Sequence, residues 1–300
     1  MTGPKFEIVG IGEILWDLLP AGKQLGGAPA NFVCHAYALS ASARLISRVG
    51  HDPAGQEIIS RLAAFGLPTD TIGVDAQAPT GTVSVEVEAD GQPRYVIHEG
   101  VAWDRVEASA DMLAVVSQAD AICFGTLAQR TTYARESIGA LLQAARPDSW
   151  RILDINLRDP FIDRDVIDRS LTMANVLKLN EHELPILAGF FNVRGEVMPQ
   201  IAALVERFSL RLVALTRGSH GSLLFTSNGF EDHPGMPSTV RDTVGAGDAF
   251  TAALTMGLLH GWPLAKISDH ANAIAAFVCS QPGATPPLPE ILREPFNNPR

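Results

Sequence analysis

Apolar and polar positions change their spacing several times along the chain. Phe6 to Leu15 reads as a buried strand ending at Gly10–Gly12, because a short apolar run closed by glycines suits a strand covered on both faces. From Pro29, Phe32, Val33, Ala36, Tyr37 and Leu39 fall at helical spacing. ARLISRVG is strand-like, and Gln56 to Phe65 is helical with Gly66 as its C-cap. Between Thr80 and Glu99, apolar and polar residues alternate on both sides of Asp90–Gly91. That pattern predicts a hairpin with one face covered and the other facing water.

From Asp111 onward, helical and strand patterns take turns. Ala119–Gly125, Trp150–Ile155, Asn175–Leu179 and Arg211–Thr216 read as strands, and Thr131–Ala145 as a helix. Such alternation predicts an α/β protein with a mostly parallel sheet flanked by helices. Right-handed crossovers then put the ligand crevice at the strand carboxyl ends. The stretch QPGATPPLPE reads as an ordered loop or tail.

Composition narrows the function classes. With 300 residues, 46% hydrophobic and 19% charged, the chain can bury a sizeable core. No apolar run reaches about 18 residues, so no membrane span is expected. Glu7, Glu13 and Asp17 interrupt the start of the chain, which argues against a signal peptide and for the cytoplasm. Cys34, Cys123 and Cys279 are isolated and read as buried thiols, without a disulfide framework or zinc site. A net charge of −10 argues against nucleic acid as a partner. It leaves a nucleotide possible, since a phosphate site needs only local donors.

The strongest chemical signal is the run Asp242 to Phe250, DTVGAGDAF, opening an apolar helix that ends at Gly261 and Pro263. Gly245, Ala246 and Gly247 then lie at a helix N-terminus, where backbone N–H groups lack intrahelical partners and the dipole favours an anion. Asp248 follows in the first turn. It either caps the helix or accepts a proton from a substrate hydroxyl. No GxxxxGK[ST] loop occurs, and Gly10-Ile11-Gly12 lacks the third glycine of a dinucleotide fingerprint because Leu15 stands there.

Together with two further motifs, this run resembles the ribokinase-like (PfkB) carbohydrate kinases, and among them the fructokinases. The motifs are Gly26-Gly27-Ala28-Pro29-Ala30-Asn31 and Arg48-Val49-Gly50-His51-Asp52-Pro53-Ala54-Gly55. The resemblance implies one ribokinase-like α/β domain over 1–300, with a small β-sheet lid from about 14–27 and 80–103. It implies transfer of the γ-phosphate of ATP, with Mg²⁺, to a sugar hydroxyl, preferably of fructose to give fructose 6-phosphate. Asp248 is then the base, and the amides of Gly245, Ala246 and Gly247 form the anion hole. Asp17, Gly26, Gly27 and Asn31 are implied as sugar contacts. Asp154-Ile155-Asn156-Leu157-Arg158 is similar to a DxNxR motif, with Arg158 a partner for the transferring phosphate.

Asn180-Glu181-His182-Glu183 is similar to the family's NxxE motif. It implies that Asn180 and Glu183 organise Mg²⁺ and its waters, with His182 incidental. Thr216 and Gly218 are implied under the nucleotide, and Asn272, on the last helix, beside the adenine. Asp242 and the carbonyls of Thr243, Val278 and Gly283 are implied to hold a monovalent cation. Pro287 departs from the ribokinase pattern there and leaves K⁺ open. Trp103 either touches the sugar or packs the hinge. A lid sheet needs its outer face covered, so lid-to-lid homodimers are expected. Other acceptors (2-keto-3-deoxygluconate, ribose, a nucleoside), a catalytically silent sugar-binding protein and a nicotinamide oxidoreductase remain as alternatives.

Overall fold

The computed structural model describes residues 5–19, 22–87 and 93–297. The chain begins with β1 (Glu7–Ile11), β2 (Leu15–Leu19), β3 (Gly22–Gly26), α1 (Ala28–Ala38), β4 (Ser42–Gly50), α2 (Pro53–Phe65) and β5 (Ile72–Asp75). Then follow β6 (Gly81–Val87), β7 (Pro93–Ile97), α3 (Ala110–Val116), β8 (Ala121–Phe124), α4 (Thr132–Gln143), β9 (Trp150–Asp154) and α5 (Arg164–Met173). The rest comprises β10 (Val176–Asn180), α6 (Glu183–Phe191), α7 (Val197–Phe208), β11 (Leu212–Thr216), β12 (Ser222–Thr226), β13 (Gly229–His233), α8 (Ala246–Leu259), α9 (Leu264–Cys279) and α10 (Glu290–Asn297).

Nine strands form one sheet in the order β13-β12-β11-β10-β9-β8-β1-β4-β5. Pairing is parallel except at β11–β12 and β12–β13. Alternate residues of each central strand enter two cores. Ile8, Cys123, Ile152 and Val176 pack with α1, α2, α8 and α9, whereas Val9, Ile122, Leu153 and Leu177 pack with α4, α5, α6 and α7. A parallel strand buried on both faces reads as a continuous apolar run, as these do. No described helix is long and apolar enough to cross a membrane.

The expected mostly parallel sheet with helices on both faces is therefore present. Three local expectations change. The first strand stops at Ile11, and Leu15 opens β2 of a second sheet rather than closing β1. The antiparallel pair β12–β13 was not anticipated. The Pro-rich stretch is a loop, as read, but it leads into α10, so α9 is not the last helix.

The smaller sheet has the order β3-β2-β6-β7, with β2 and β6 parallel. The alternating pattern around Asp90–Gly91 forms the antiparallel pair β6–β7, and that dipeptide itself lies outside the described residues. Trp16 of β2 is buried against α2, its Nε1–H donating to the Ala54 carbonyl at 3.0 Å. Lys23 of β3 pairs with Glu57 of α2. The Arg48–Gly55 motif joins the two sheets through Asp52. Its carboxylate caps α2 at the Gly55 N–H (2.7 Å) and accepts from both the N–H (2.8 Å) and Oγ1 (2.7 Å) of Thr80, just before β6. Burial works against that charge, but these donors prevail and hold the Asp52 carboxyl below its usual range.

Candidate active site

Helix α8 starts beside the carboxyl ends of β9 and β10. Gly245, its N-cap, has φ 79°, and a Cβ there would collide with the carbonyl of Ala284. Only glycine suits that turn. The Ala249 N–H donates to the Gly245 carbonyl at 2.8 Å, so the amides before it lack α-helical acceptors. Ala246 is partly engaged, its N–H lying 3.4 Å from the Thr243 carbonyl. Residues 245–248 are half-buried rather than sealed in the core.

Asp248 meets Asn31 of α1, whose Nδ2 donates to its Oδ2 at 2.8 Å. Burial, then the charge of Asp154, push the Asp248 pKa up to about 7; the Asn31 hydrogen bond and the charges of Lys178 and Arg158 oppose this. A carboxyl tuned near neutrality suits proton transfer. On the smaller sheet, the Asp17 side chain of β2 lies against Gly26 of β3, where a Cβ would collide with the carboxylate. Burial raises Asp17 to about 6, against the nearby charge of Arg158. Gly27, at φ 108°, precedes α1, and a Cβ there would strike the Glu13 carbonyl.

Sequence reasoning missed three residues in this region. Glu13 is buried, accepts from the Ala28 N–H at 3.3 Å and has no partner at Oε2; burial lifts it to about 7. It lines a small cavity with Pro29, Phe32, Thr126, Asp154 and Asn156. Lys178, inside the apolar strand β10, is buried and pairs with Asp154 at 3.0 Å. Thr251 of α8 donates to the other Asp154 oxygen at 2.9 Å. Burial disfavours the Lys178 charge, but Asp154 and Glu183 prevail and keep its pKa high. A lone lysine in an otherwise apolar central strand was the available signal, since such a charge must be paired.

Within the DxNxR segment, Asp154 thus lies under α8 rather than in the open crevice. Arg158 is exposed, with Nη1 donating to its neighbour's Leu157 carbonyl at 3.0 Å. It is close enough to favour the ionised forms of Glu13, Asp17 and Asp248. Asn180 Oδ1 accepts from the N–H groups of His182 (2.9 Å) and Glu183 (3.0 Å), capping α6. Glu183 accepts from the N–H groups of Leu157 and Asn180, both at 2.8 Å. Both of its oxygens already accept an N–H, which suits holding a metal through water, as Mg²⁺ commonly permits. No group of three or more metal-binding side chains occurs among the described residues.

Thr216 lies beside Asn180 at the strand ends, and Gly218, φ 54°, opens the turn after β11. Asn272 is buried in α9, with Nδ2 donating to Ser222 Oγ and the Ser268 carbonyl, both at 2.8 Å; its amide ties α9 to β12. Trp103 is fully buried in the core cluster that includes Val101, Val106 and Phe124. Asp242 accepts from the N–H groups of Val244 and Gly283, both at 3.0 Å, and the Val278 carbonyl accepts from Gln281. The group expected to hold K⁺ is thus partly committed to closing its own loop. Cys34 and Cys123 are buried and Cys279 half-buried, all free.

Residues 21–291 match the model of the pfkB family of carbohydrate kinases. An uncharacterized sugar kinase from Pyrococcus horikoshii is 30% identical, covering 95% of this chain and 94% of that protein. A fructokinase from Klebsiella pneumoniae is 30% identical over 93% and 95% of the two chains. The P. horikoshii structure in complex with ATP superposes with a TM-score of 0.78 at 28% identity, covering 93% and 94%. A fructokinase from Xylella fastidiosa with bound ATP has a TM-score of 0.84 at 20% identity over 97% and 98%, and shares the fold.

Proposed function

This chain belongs to the pfkB family of carbohydrate kinases, and from that premise we propose that it phosphorylates fructose to fructose 6-phosphate with ATP and Mg²⁺. The observation that carries this reading is the half-buried Asp248 carboxyl, tuned near neutrality, at the start of a helix whose first amides lack helical acceptors. In the proposed reaction the sugar's terminal hydroxyl gives its proton to Asp248 as its oxygen attacks phosphorus in line with the departing ADP oxygen. The Gly245–Gly247 turn receives the equatorial oxygens of the γ-phosphoryl group. Arg158, in the exposed loop after β9, adds a fork of donors.

Asp17, Gly26, Gly27 and Asn31 form the sugar side. Gly26 leaves room for Asp17, and Asn31 reaches the base. On the nucleotide side, Asn180, Thr216 and Gly218 border the phosphates, and Glu183 orders the Asn180 and Leu157 amides. Bound Mg²⁺ would share the phosphate charge through water held at Glu183. The reading includes a lid that excludes water as a competing acceptor, a homodimer covering Leu18, 42% exposed on β2, and a cytoplasmic location.

The supporting test is ADP release with ATP, Mg²⁺ and a panel of fructose, ribose, 2-keto-3-deoxygluconate and inosine. Fructose should give the highest kcat/KM. A higher value for another acceptor would overturn the fructose assignment. Sugar binding without ADP release from any acceptor would favour a silent binding protein.

A further inference from the structure

Building on the phosphoryl-transfer reading above, we propose that Arg130 is a positioning residue that couples the lid hinge to the loop carrying Arg158. Arg130 lies between β8 and α4, outside the motifs that identify the site. Its Nε and Nη2 donate to the two oxygens of Asp104 at 2.6 and 2.8 Å, and the pair is almost closed to solvent. Nη2 also donates to the His98 carbonyl at 2.6 Å, one residue beyond the lid strand β7. The neighbouring Thr131 Oγ1 donates to the Asp104 carbonyl at 2.7 Å. Besides the backbone bonds of His98 to Thr82 and of Ala102 to Pro79, residues 98–104, through which the lid rejoins the main sheet, are therefore held at both ends by one guanidinium and the residue after it.

The same guanidinium has a second side. Its carbon lies 4.0 Å from the Trp103 ring centroid and 4.6 Å from that of Phe161. Phe161 closes the turn that contains Arg158, its N–H donating to the Arg158 carbonyl at 2.8 Å. The other end of that loop is fixed where the Leu157 N–H meets Glu183. Arg158 thus hangs between two anchors, one on the α6 side and one on the hinge.

An ion pair alone would serve stability. Here one flat cation ties a lid carbonyl, a hinge carboxylate and the turn of a loop from elsewhere in the chain. Movement of the lid base displaces the guanidinium, and its ring contact passes the displacement to the backbone beside Arg158. Nη1 is buried without an acceptor, so the group keeps donor capacity for a second arrangement. Lysine supplies neither the fork nor the stacking plane. Acceptor binding under the lid would in this way bring Arg158 to the transferring phosphate only when the lid is in place.

The test compares wild type with R130M, R130K and F161A by hydrogen exchange and by kinetics with fructose, ATP and Mg²⁺. R130M should keep its circular dichroism spectrum and its KM for ATP, while exchange at residues 155–162 quickens. Its kcat with fructose should fall about tenfold or more, and ATP hydrolysis should increase relative to phosphorylation. R130K should behave like R130M. Unchanged exchange at 155–162 in R130M, or wild-type behaviour of R130K, would overturn the coupling. Should R130M fail to fold, F161A, which leaves the hinge ion pair intact, decides by the same readouts. A wild-type protein that phosphorylates no acceptor would overturn the transfer reading instead, and the exchange data would still decide the mechanical link.

Discussion

Asn31 and Asp248 are 217 positions apart in sequence, and a 2.8 Å hydrogen bond joins them where the first turns of α1 and α8 meet. The amide steadies one carboxylate oxygen, and the other keeps lone pairs for a substrate hydroxyl. Replacing Asp248 with Asn preserves size and much of this contact but removes the base. The expected outcome is an unchanged circular dichroism spectrum and a kcat lower by about 10²–10⁴-fold. Wild-type turnover in Asp248→Asn would remove the base assignment.

The pH dependence of activity follows from the same pair. Asp248 must be ionised to accept a proton, and its pKa is raised to about 7. The expected kcat/KM therefore falls as pH drops through about 7. The Asn31 hydrogen bond favours the ionised form, so Asn31→Leu should move the acid limb to higher pH. A pH profile of both proteins checks the direction, and a shift to lower pH would contradict it.

Stability should respond in the opposite sense. Glu13, Asp17 and Asp248 have folded-state values of about 7, 6 and 7, above their ordinary values of 4.5, 3.8 and 3.8. A raised carboxyl pKa gives stability that is complete below the unfolded value and lost as pH rises through the folded one. Without ligands, the protein should lose part of its thermal stability between about pH 4 and pH 7. Asp248→Asn should raise Tm more at pH 8 than at pH 5, measured by thermal melts. Such a gain would mark a base kept at some cost to the fold.

Much of this arrangement could be read from residue order, and the exceptions have physical causes. Asp248 was legible because glycines before a first-turn acid and an apolar helix form a local pattern. Gly66 as a C-cap was legible for the same reason, and it is left-handed as expected. Lys178, Glu13 and Arg130 were not, because their partners Asp154, Ala28 and Asp104 are close only after the sheet is built. Strand β2 was merged with β1 because the apolar run continues through Ile14 while the backbone turns at Gly12, φ 146°. The β12–β13 hairpin carries only a partial signal, Asn228-Gly229 after the apolar stretch Leu223–Phe225, because β13 is mostly polar.

Gly245→Ala tests the turn that presents the helix amides. A side chain at φ 79° is strained, and its Cβ would meet the backbone of Ala284. Left-handed strain alone costs about 1–3 kcal/mol, and backbone atoms cannot swing aside as a side chain can. The expected result is a lower urea midpoint with a loss of kcat larger than the loss of stability explains. Equal activity per folded molecule would show that the turn does not hold the reacting phosphate.

The buried pair Lys178–Asp154 allows a test in which the two partners act in opposite directions. Breaking a buried pair strands the remaining charge and typically costs about 3–5 kcal/mol, so Lys178→Met and Asp154→Asn should each lower the urea midpoint. The double variant should recover part of that loss, since no charge is left uncompensated. If the pair served stability alone, the two single variants would leave the same pH profile. Lys178, however, favours the ionised form of Asp248, and Asp154 opposes it. Lys178→Met should therefore move the acid limb of kcat/KM to higher pH, and Asp154→Asn should move it to lower pH. Opposite displacements from two halves of one salt bridge are what an electrostatic setting of the base requires. A common displacement, or none, would confine the pair to holding β9, β10 and α8 together.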